Sequence, residues 1–256
     1  MLRGLVLTAV LLFSACGSSA QSPGAPTSMT PAKRLLVVTY TTGFRHDSIE
    51  VAEQTLDALA RQSGTFTVQF CRTGADVQSM LSPASLRGFD AVAFVNTTGN
   101  LGLPDLPAFL AWIAEGHGFA GMHSASDTYH DEPAYLDMLG NEFLTHGAES
   151  SVEAIVENPT HPAAAMLGQR LAIFDEIYKF VRGNRGQVTM LLSLDRQPLD
   201  GLPGQGEPAD LPLAWAKAHG AGRVFYTALG HRDDVWRNAS YRQQIGAGLQ
   251  WVLGLR

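Results

Sequence analysis

Cysteine and charge are both scarce in this chain of 256 residues. Cys16 and Cys71 are its only cysteines, and charged residues make up 16% of it. If Cys16 is consumed by lipidation, Cys71 has no partner, and an intramolecular disulfide is excluded. Cys71 follows an alternating apolar segment, which favours a half-buried small residue over a reactive thiol. The net charge of -6 argues against nucleic acid as the main partner, because phosphate binding needs a basic face.

Several motifs that indicate a known chemistry are also missing. The sequence contains no HExxH, no paired CxxC and no P-loop. The polar loop at 42–45 lacks the GxGxxG spacing of a dinucleotide site. Phosphate, nucleotide and nucleic-acid ligands are therefore unsupported. No second hydrophobic span follows the N-terminal one, so any membrane attachment would depend on a lipid alone.

The first residues have the order of a secretory signal. Arg3 precedes the apolar segment 5–13, and small residues lead to Cys16 in a run that resembles a bacterial lipobox. We predict a lipoprotein-type signal peptide at 1–16, with Cys16 lipidated; ordinary secretion with cleavage nearby is the alternative. Residues 17–32, rich in Ser, Pro, Gly and Ala, are typical of a flexible tether. The protein is then expected in the bacterial cell envelope, exported and held to a membrane by its lipid.

Residues 33–256 suit one α/β domain with a large core, because 45% of the chain is hydrophobic. Compact apolar runs alternate with segments of helical spacing in its first half. The order βαβαβ predicts a flavodoxin-like domain, with a mostly parallel sheet and helices on both faces. The predicted strands are 35–38, 66–70, 90–95 and 119–122, and the predicted helices are 48–62 and 106–115.

Asp47 or Ser48 is expected to cap the first of these helices. The second half of the chain is less regular. We predict strands at 151–156, 176–180, 188–194, 213–218 and 223–228, a short helix at 161–167, a loop at 195–210 and a closing helix at 241–253.

Three histidines follow predicted strands. His46 lies in the loop after the first strand, His123 ends the central strand, and His231 follows the last strand. Because the carboxyl ends of parallel strands share one edge of the sheet, these imidazoles are expected to converge in one cleft. Each taken alone is more often a structural histidine. His130 and His146 lie beyond His123, and either could approach the same cleft.

Carboxylates are the second class of candidate groups. Asp127 lies one helical turn after His123 and is expected to orient it. Glu176 is either a buried acid or base, or an ion-pair partner of Lys179, Arg182 or Arg185. Imidazole and carboxylate ligands suit a divalent metal such as zinc, so His46, His123 and His231 are also the candidate metal ligands.

Several segments together resemble the ThuA-like (trehalose utilisation) family of the class I glutamine amidotransferase-like superfamily. They are Gly43–Ile49, Gly121–Thr128, Asp175–Tyr178, Pro212–Trp215 and Gly222–His231. The resemblance implies a flavodoxin-like sheet and a role in disaccharide or modified-sugar metabolism. Amidotransferases place a nucleophilic Cys at a strand-to-helix elbow, but the matching turn here, 121–125, contains none. A glutaminase mechanism is therefore disfavoured; Ser124, one position from the elbow centre, is a weaker nucleophile candidate.

Three functions remain in view at this point. The first is a sugar-directed hydrolase or modifying enzyme, with catalytic groups His123, His46, His231, Asp127 and Glu176, and with sugar-binding groups Arg45, Asn96, Ser124, Tyr178 and Arg232. The second is a carbohydrate-binding envelope lipoprotein without catalysis, which would use the aromatic faces of Phe44, Trp112, Tyr129, Trp215 and Trp236. A structural envelope protein that retains an enzyme fold is a third alternative, since fold alone does not prove catalysis.

Overall fold

The computed structural model describes Met1 and residues 32–183, 185–198 and 206–256. Apart from Met1 and Ala32, the predicted signal peptide and tether lie outside the described residues, and so does Cys16. Within the described part of the chain, no helix has the length and hydropathy that crossing a membrane requires.

The described residues form eleven strands and seven α-helices. The strands are β1 Lys33–Val38, β2 Phe66–Cys71, β3 Ala91–Val95, β4 Gly118–Met122, β5 Phe143–His146, β6 Ser150–Val156, β7 Arg170–Asp175, β8 Tyr178–Phe180, β9 Thr189–Arg196, β10 Pro208–His219 and β11 Gly222–Thr227. The helices are α1 Ile49–Ser63, α2 Gly74–Met80, α3 Pro83–Leu86, α4 Leu106–Ala114, α5 Pro133–Leu139, α6 Asp233–Arg237 and α7 Ala239–Val252.

Nine of these strands form one sheet in the order β2-β1-β3-β4-β11-β10-β9-β6-β7. The five strands from β2 to β11 run parallel, and β10, β9, β6 and β7 extend them by antiparallel pairing. Separately, β5 pairs with β8 in a two-stranded antiparallel sheet. The antiparallel half positions the candidate residue Glu176, which lies in the segment between β7 and β8.

Both faces of the parallel half are covered by helices. Side chains alternate along β1, so that Leu35 belongs to one core cluster and Leu36 to the other. On one face α1 and α7 contribute Leu56 and Ile245, and on the other α4 contributes Phe109. The predicted α/β fold with helices on both faces is confirmed.

Three local predictions were wrong. Both ends of the predicted loop 195–210 belong to strands, because β9 continues to Arg196 and β10 begins at Pro208. Residues 161–167 form turns and no helix, because the backbone bonds from Ala164 and Ala165 to the His161 carbonyl close a single turn before Gly168 adopts a φ of 71°. Ser48 occupies the N-cap position of α1, but its side chain makes no capping bond. Its hydroxyl donates to the carbonyl oxygen of Gly230 across 3.3 Å.

The turn after β4 has a special backbone conformation. His123 begins a short 3-10 helix, His123–Asp127, and its φ of 51° lies in the left-handed region. Non-glycine residues rarely adopt this conformation, although Asn, Asp and His do so more readily than others. Gly121, two residues earlier, has no space for a side chain, since a Cβ there would lie 2.9 Å from atoms of Leu139 and Tyr226 and 3.2 Å from the Cβ of Ala125 in the turn. The imidazole is thereby held at the carboxyl edge of the central strand.

Candidate active site

The three strand-end histidines meet at the carboxyl edge of the parallel strands. His123 is the first residue after β4, while His46 and His231 lie in the loops that follow β1 and β11. The ring centroid of His46 lies 4.7 Å from that of His123 and 5.2 Å from that of His231. The rings of His123 and His231 are 5.4 Å apart. The structure therefore brings together three side chains that are far apart in the sequence.

Glu176 completes this cluster from the antiparallel side. Its Oε2 lies 3.6 Å from His123 Nε2 and 3.5 Å from His231 Nδ1, and its Oε1 lies 2.9 Å from His146 Nδ1. Among the described residues, Glu176 forms no ion pair with its three predicted partners. Arg182 pairs with Asp137, and Arg185 pairs with Glu157 and Asp210. Lys179 lies in the pairing of β5 with β8. Glu176 is thus surrounded by imidazoles.

The protonation of His123 is fixed by its surroundings. Nδ1 lies 2.8 Å from the carbonyl oxygen of Ala228, which can only accept, so Nδ1 carries the proton. Nε2 of the neutral ring then holds a lone pair, which faces Tyr178 Oη at 2.9 Å and His46 Nε2 at 3.1 Å. His123 therefore presents a basic nitrogen to the centre of the cluster.

Burial favours the neutral forms of His46 and His123 and the protonated form of the Glu176 carboxyl group. It lowers the pKa of His46 to about 4, with further lowering from the charges of His231 and His146. Burial also holds the pKa of His123 well below its ordinary value, and His46 adds to this effect. Burial raises the pKa of Glu176, against the opposing attraction of His231 and His146. Perturbed groups concentrated in one cleft are typical of functional sites.

The loop that carries His231 is fixed at Gly230. Its carbonyl oxygen accepts hydrogen bonds from Asn96 Nδ2 at 3.0 Å and from Trp236 Nε1 at 2.8 Å, and its N–H donates to Asp175 Oδ2 at 2.7 Å. Gly230 has a φ of 128°, and a Cβ there would lie 2.9 Å from Tyr241 Oη. Glycine is therefore required here, and the surrounding bonds set the direction of the next residue.

Each ring has an outer partner on the nitrogen that faces away from the cluster. Besides the Ala228 carbonyl behind His123, Ser124 Oγ lies 3.5 Å from His46 Nδ1. Glu149 Oε1 lies 3.5 Å from His231 Nε2, and Arg232 holds Glu149 in an ion pair. Ser124 is fully buried, so its hydroxyl supports the ring of His46 and is not free to contact a substrate as predicted.

A pocket of about 270 Å³ opens above the cluster. Imidazoles and Glu176 form its floor, and aromatic rings form much of its wall. The lining residues are Phe44, His46, Asp127, Phe143, His146, Glu176, Tyr178 and His231. A second cleft of about 350 Å³, with charged walls, adjoins it and shares His231.

Asp127 does not orient His123 as predicted. Its Oδ1 lies 2.6 Å from His130 Nε2, while His130 Nδ1 lies 2.7 Å from Glu142 Oε1. The prediction failed because Ala228 already occupies the Nδ1 of His123. Asp127 nevertheless lines the pocket, so it remains a candidate for contact with a substrate.

The other predicted binding residues are distributed differently. Tyr178 lines the pocket and contacts His123. Asn96 is fully buried and holds the Gly230 turn, whereas Arg45 is exposed and its guanidinium lies 3.4 Å from the Thr39 carbonyl. Arg232 lines the adjoining cleft. Only Tyr178 of these four reaches the pocket.

Most of the aromatic side chains proposed for sugar binding belong to the core. Trp112, Tyr129, Trp215 and Trp236 are all buried. Phe44 is different, because 66% of it is exposed and its ring packs edge-on against His46 at 4.8 Å. The sequence contains no signal for the pocket residue Phe143, and it predicts His146 only as a residue that could approach the cleft. The pairing of β5 with β8 brings both of them to the pocket.

Comparison with known proteins gives one family match. A profile described as "ThuA: Trehalose utilisation" matches residues 34–252. A comparison with curated protein sequences gives no significant match.

Solved structures with the same fold are found at low sequence identity. A ThuA-like protein from Parabacteroides merdae ATCC 43184 has a TM-score of 0.71 and 18% identity, with 88% of this chain and 90% of that chain covered. A ThuA-like protein from Bacteroides uniformis ATCC 8492 has a TM-score of 0.67 and 18% identity, with coverage of 90% and 95%. A protein from Salmonella typhimurium LT2, titled a cytoplasmic protein, has a TM-score of 0.60 and 14% identity, with coverage of 86% and 99%.

Proposed function

Because the chain belongs to the ThuA family, described by trehalose utilisation, we propose that it is an enzyme that acts on a sugar. The substrate class is a disaccharide or a keto derivative of one, and the reaction is hydrolysis or another modification of that sugar. The reactive centre is the cluster of His46, His123, His231 and Glu176.

The observation that carries this proposal is the composition of the 270 Å³ pocket. Its floor is made of imidazole and carboxylate groups, which transfer protons in enzymes. Its wall includes Phe44, Phe143 and Tyr178, and aromatic faces pack against the apolar faces of sugar rings. A pocket with an apolar wall and a few convergent polar groups is typical of a small-molecule site.

The residues divide into two roles under this proposal. His46, His231 and Glu176, which line the pocket, would exchange protons with the substrate. His123 is fully buried, so the unprotonated Nε2 that Ala228 enforces would act through His46 and Glu176. Asp127 and Tyr178 would hydrogen-bond sugar hydroxyls from the wall. Asn96 and Ser124 would act from behind the site, where they support His231 and His46.

The test is a substrate screen with a matched pair of variants. The purified chain is incubated with disaccharides and their keto derivatives, with and without divalent ions, and the products are followed by chromatography and mass spectrometry. Glu176→Gln keeps the shape of the side chain and is expected to reduce turnover at least about 100-fold. Glu153→Gln, on the exposed side of β6, is the control and should match the wild type. Equal turnover by the Glu176 and Glu153 variants would overturn the proposal.

The second candidate function is sugar binding without catalysis. It is favoured by the exposed ring of Phe44 at the mouth of the pocket. Tight binding of a sugar by calorimetry, combined with no turnover of any compound in the screen, would establish this alternative. Turnover that depends on Glu176 would exclude it.

We further propose that the protein is exported and attached to a membrane through lipidated Cys16. The motivation is the run of Arg3, the apolar segment 5–13 and small residues before Cys16. Mass spectrometry of the protein from bacterial membranes should show a mature chain that begins at a diacylated Cys16. Cys16→Ser should release the protein from the membrane fraction. Recovery of the unmodified wild-type chain in the soluble fraction would contradict this proposal.

A further inference from the structure

We propose that His46, His123, His231 and Glu176 bind one divalent transition-metal ion of the zinc class at the floor of the pocket. Four ligand atoms, one from each residue, all lie within 4.8 Å of one another. This inference deepens the proposed function. The role of the ion in a reaction rests on that function, whereas the binding of the ion does not.

The separations of these atoms match a coordination shell. His46 Nε2 and His123 Nε2 are 3.1 Å apart, and Glu176 Oε2 lies 3.6 Å from His123 Nε2 and 3.5 Å from His231 Nδ1. Ligands at about 2.0–2.2 Å from a tetrahedral ion are separated by roughly 3.3–3.6 Å. These three separations are close to what an ion at the centre would need, and the remaining ones, which are all within 4.8 Å, would shorten as the side chains turn toward the ion.

Every candidate ligand is also supported from behind. The Nδ1 of His123 donates to the Ala228 carbonyl, and the Nε2 of His231 faces Glu149. The second oxygen of Glu176 is held by His146 at 2.9 Å. Metal-binding histidines almost always use their other nitrogen in this way, because the outer partner sets the tautomer and the ring orientation.

Ser124 allows His46 to adopt the tautomer that an ion requires. His123 Nε2 has one lone pair, to which Tyr178 Oη can donate, and its contact with His46 is a hydrogen bond only when His46 Nε2 carries a proton. An ion would take that position, and the proton would move to His46 Nδ1, where Ser124 Oγ can accept it. A hydroxyl group donates or accepts equally well, so the site accommodates both forms.

A self-sufficient hydrogen-bond cluster is the competing explanation, and it leaves one atom unexplained. Within the described part of the chain, the buried Nδ1 of His231 has no hydrogen-bond partner. Buried polar atoms are normally paired, and a bound water or ion is one of the explanations for an orphaned one. Other buried side-chain atoms of the described residues also lack a partner, but His231 Nδ1 is the one that belongs to the candidate ligand set. This nitrogen lies next to Glu176 Oε2, at the position where a fourth ligand would complete the set.

The ligand types favour a zinc-like ion over the alternatives. Three imidazoles suit zinc, iron, nickel and copper, whereas calcium and magnesium prefer oxygen ligands. The thiol of Cys71 is buried at the end of β2 and is absent from the candidate ligand set, so a thiolate site is not formed here.

The test measures ion binding directly and separately from turnover. The full-length chain without an affinity tag is treated with a chelator and titrated with zinc by calorimetry, and cobalt(II) is added in parallel to record visible absorption. We expect one ion per chain, with cobalt bands of a four-coordinate site. His231→Gln should weaken zinc binding at least about 100-fold, and Glu149→Gln, which removes an outer partner, by about 10- to 100-fold.

The control is His219→Gln at the end of β10, far from the cluster in the fold, and circular dichroism of every variant checks folding. Its zinc affinity should equal that of the wild type. No stoichiometric binding by the wild type, or equal binding by the His231 and His219 variants, would overturn the ion site. Turnover that survives without any ion binding would overturn only this inference, whereas ion binding without turnover of any sugar would overturn only the proposed function.

Discussion

His123 and Ala228 are joined by a hydrogen bond of 2.8 Å that connects the end of the central strand β4 to the end of its neighbour β11. Because a carbonyl oxygen only accepts, this bond decides which nitrogen of His123 is basic. The loop after β11 then continues through Gly230 to His231. One short segment of backbone therefore fixes the tautomer of one histidine and the position of another.

The buried carboxyl group of Asp175 should make the stability of the protein depend on pH. Burial raises its pKa from 3.8 to about 7, although the Gly230 N–H opposes this. The folded state thus holds a proton that the unfolded state has lost, so stability falls as pH rises from about 4 to about 7 and then levels off. Asp175→Asn removes this dependence. Relative to the wild type, it should gain about 2 kcal/mol between pH 5 and pH 8, measured by urea unfolding.

The control for Asp175 is Asp131→Asn, an exposed change in the turn before α5. Its difference from the wild type should be the same at both pH values. A stability difference for Asp175→Asn that shrinks as pH rises would show that the carboxyl group is ionised and stabilised in the folded protein.

The turn at Gly230 should not tolerate any side chain. Gly230→Ala places a Cβ against Tyr241 in a backbone conformation that favours glycine, and we expect it to lower the free energy of unfolding by about 3 kcal/mol or more. Gly64→Ala is the matched control, because Gly64 has a φ of 63° but no atom within 4 Å of its Cβ position. That change should cost only about 1 kcal/mol. Similar costs for the two variants in thermal and urea unfolding would refute the steric explanation.

The exposed ring of Phe44 should contribute to sugar affinity and little to stability. Phe44→Ala removes an aromatic face from the mouth of the pocket, and we expect about 3- to 10-fold weaker sugar binding with unchanged unfolding. Leu144→Ala removes another exposed apolar side chain, which is absent from the pocket lining, and serves as the control. Calorimetric titration with a sugar that binds the wild type gives both affinities. A Phe44 variant that binds like the Leu144 variant would place the sugar elsewhere.

The thiol of Cys71 should be inert in the folded protein. It is fully buried at the end of β2, and burial together with the nearby charge of Asp76 raises its pKa to about 12. Thiolate is the reactive form, so a Cys16→Ser chain should resist Ellman's reagent at pH 8 until urea unfolds it. Rapid labelling under native conditions would mean that this end of the sheet opens readily.

The sequence was sufficient for the parallel half of the fold. The continuous apolar runs at 35–38 and 119–122 are strands because both of their faces are buried, and the structure extends each by one or two residues, to Lys33–Val38 and Gly118–Met122. The prediction of a helix at 161–167 was wrong. His161-Pro162 is a common helix start, but Gly168 ends the segment after one turn. Local sequence cannot reveal which of these effects decides the outcome.

The site was partly predictable for the same reason. Strand order alone places His46, His123 and His231 at one edge of the sheet, and the convergence of their rings follows from it. The partners of these rings could not be found in this way. Glu149 and His146 are positioned by antiparallel pairings whose register depends on distant residues. Asp127 contacts His130 because the carbonyl oxygen of Ala228 already occupies Nδ1 of His123.

The left-handed backbone at His123 has a consequence for how this site could change during evolution. Asparagine and aspartate tolerate that conformation nearly as well as histidine. A single replacement of His123 by one of these residues would remove the basic nitrogen, while the backbone turn would keep its shape. The chemistry of the site can therefore be lost without loss of the fold. Under the proposed function, a relative that binds its ligand without catalysis can therefore arise in one step, without rebuilding the sheet beneath the site.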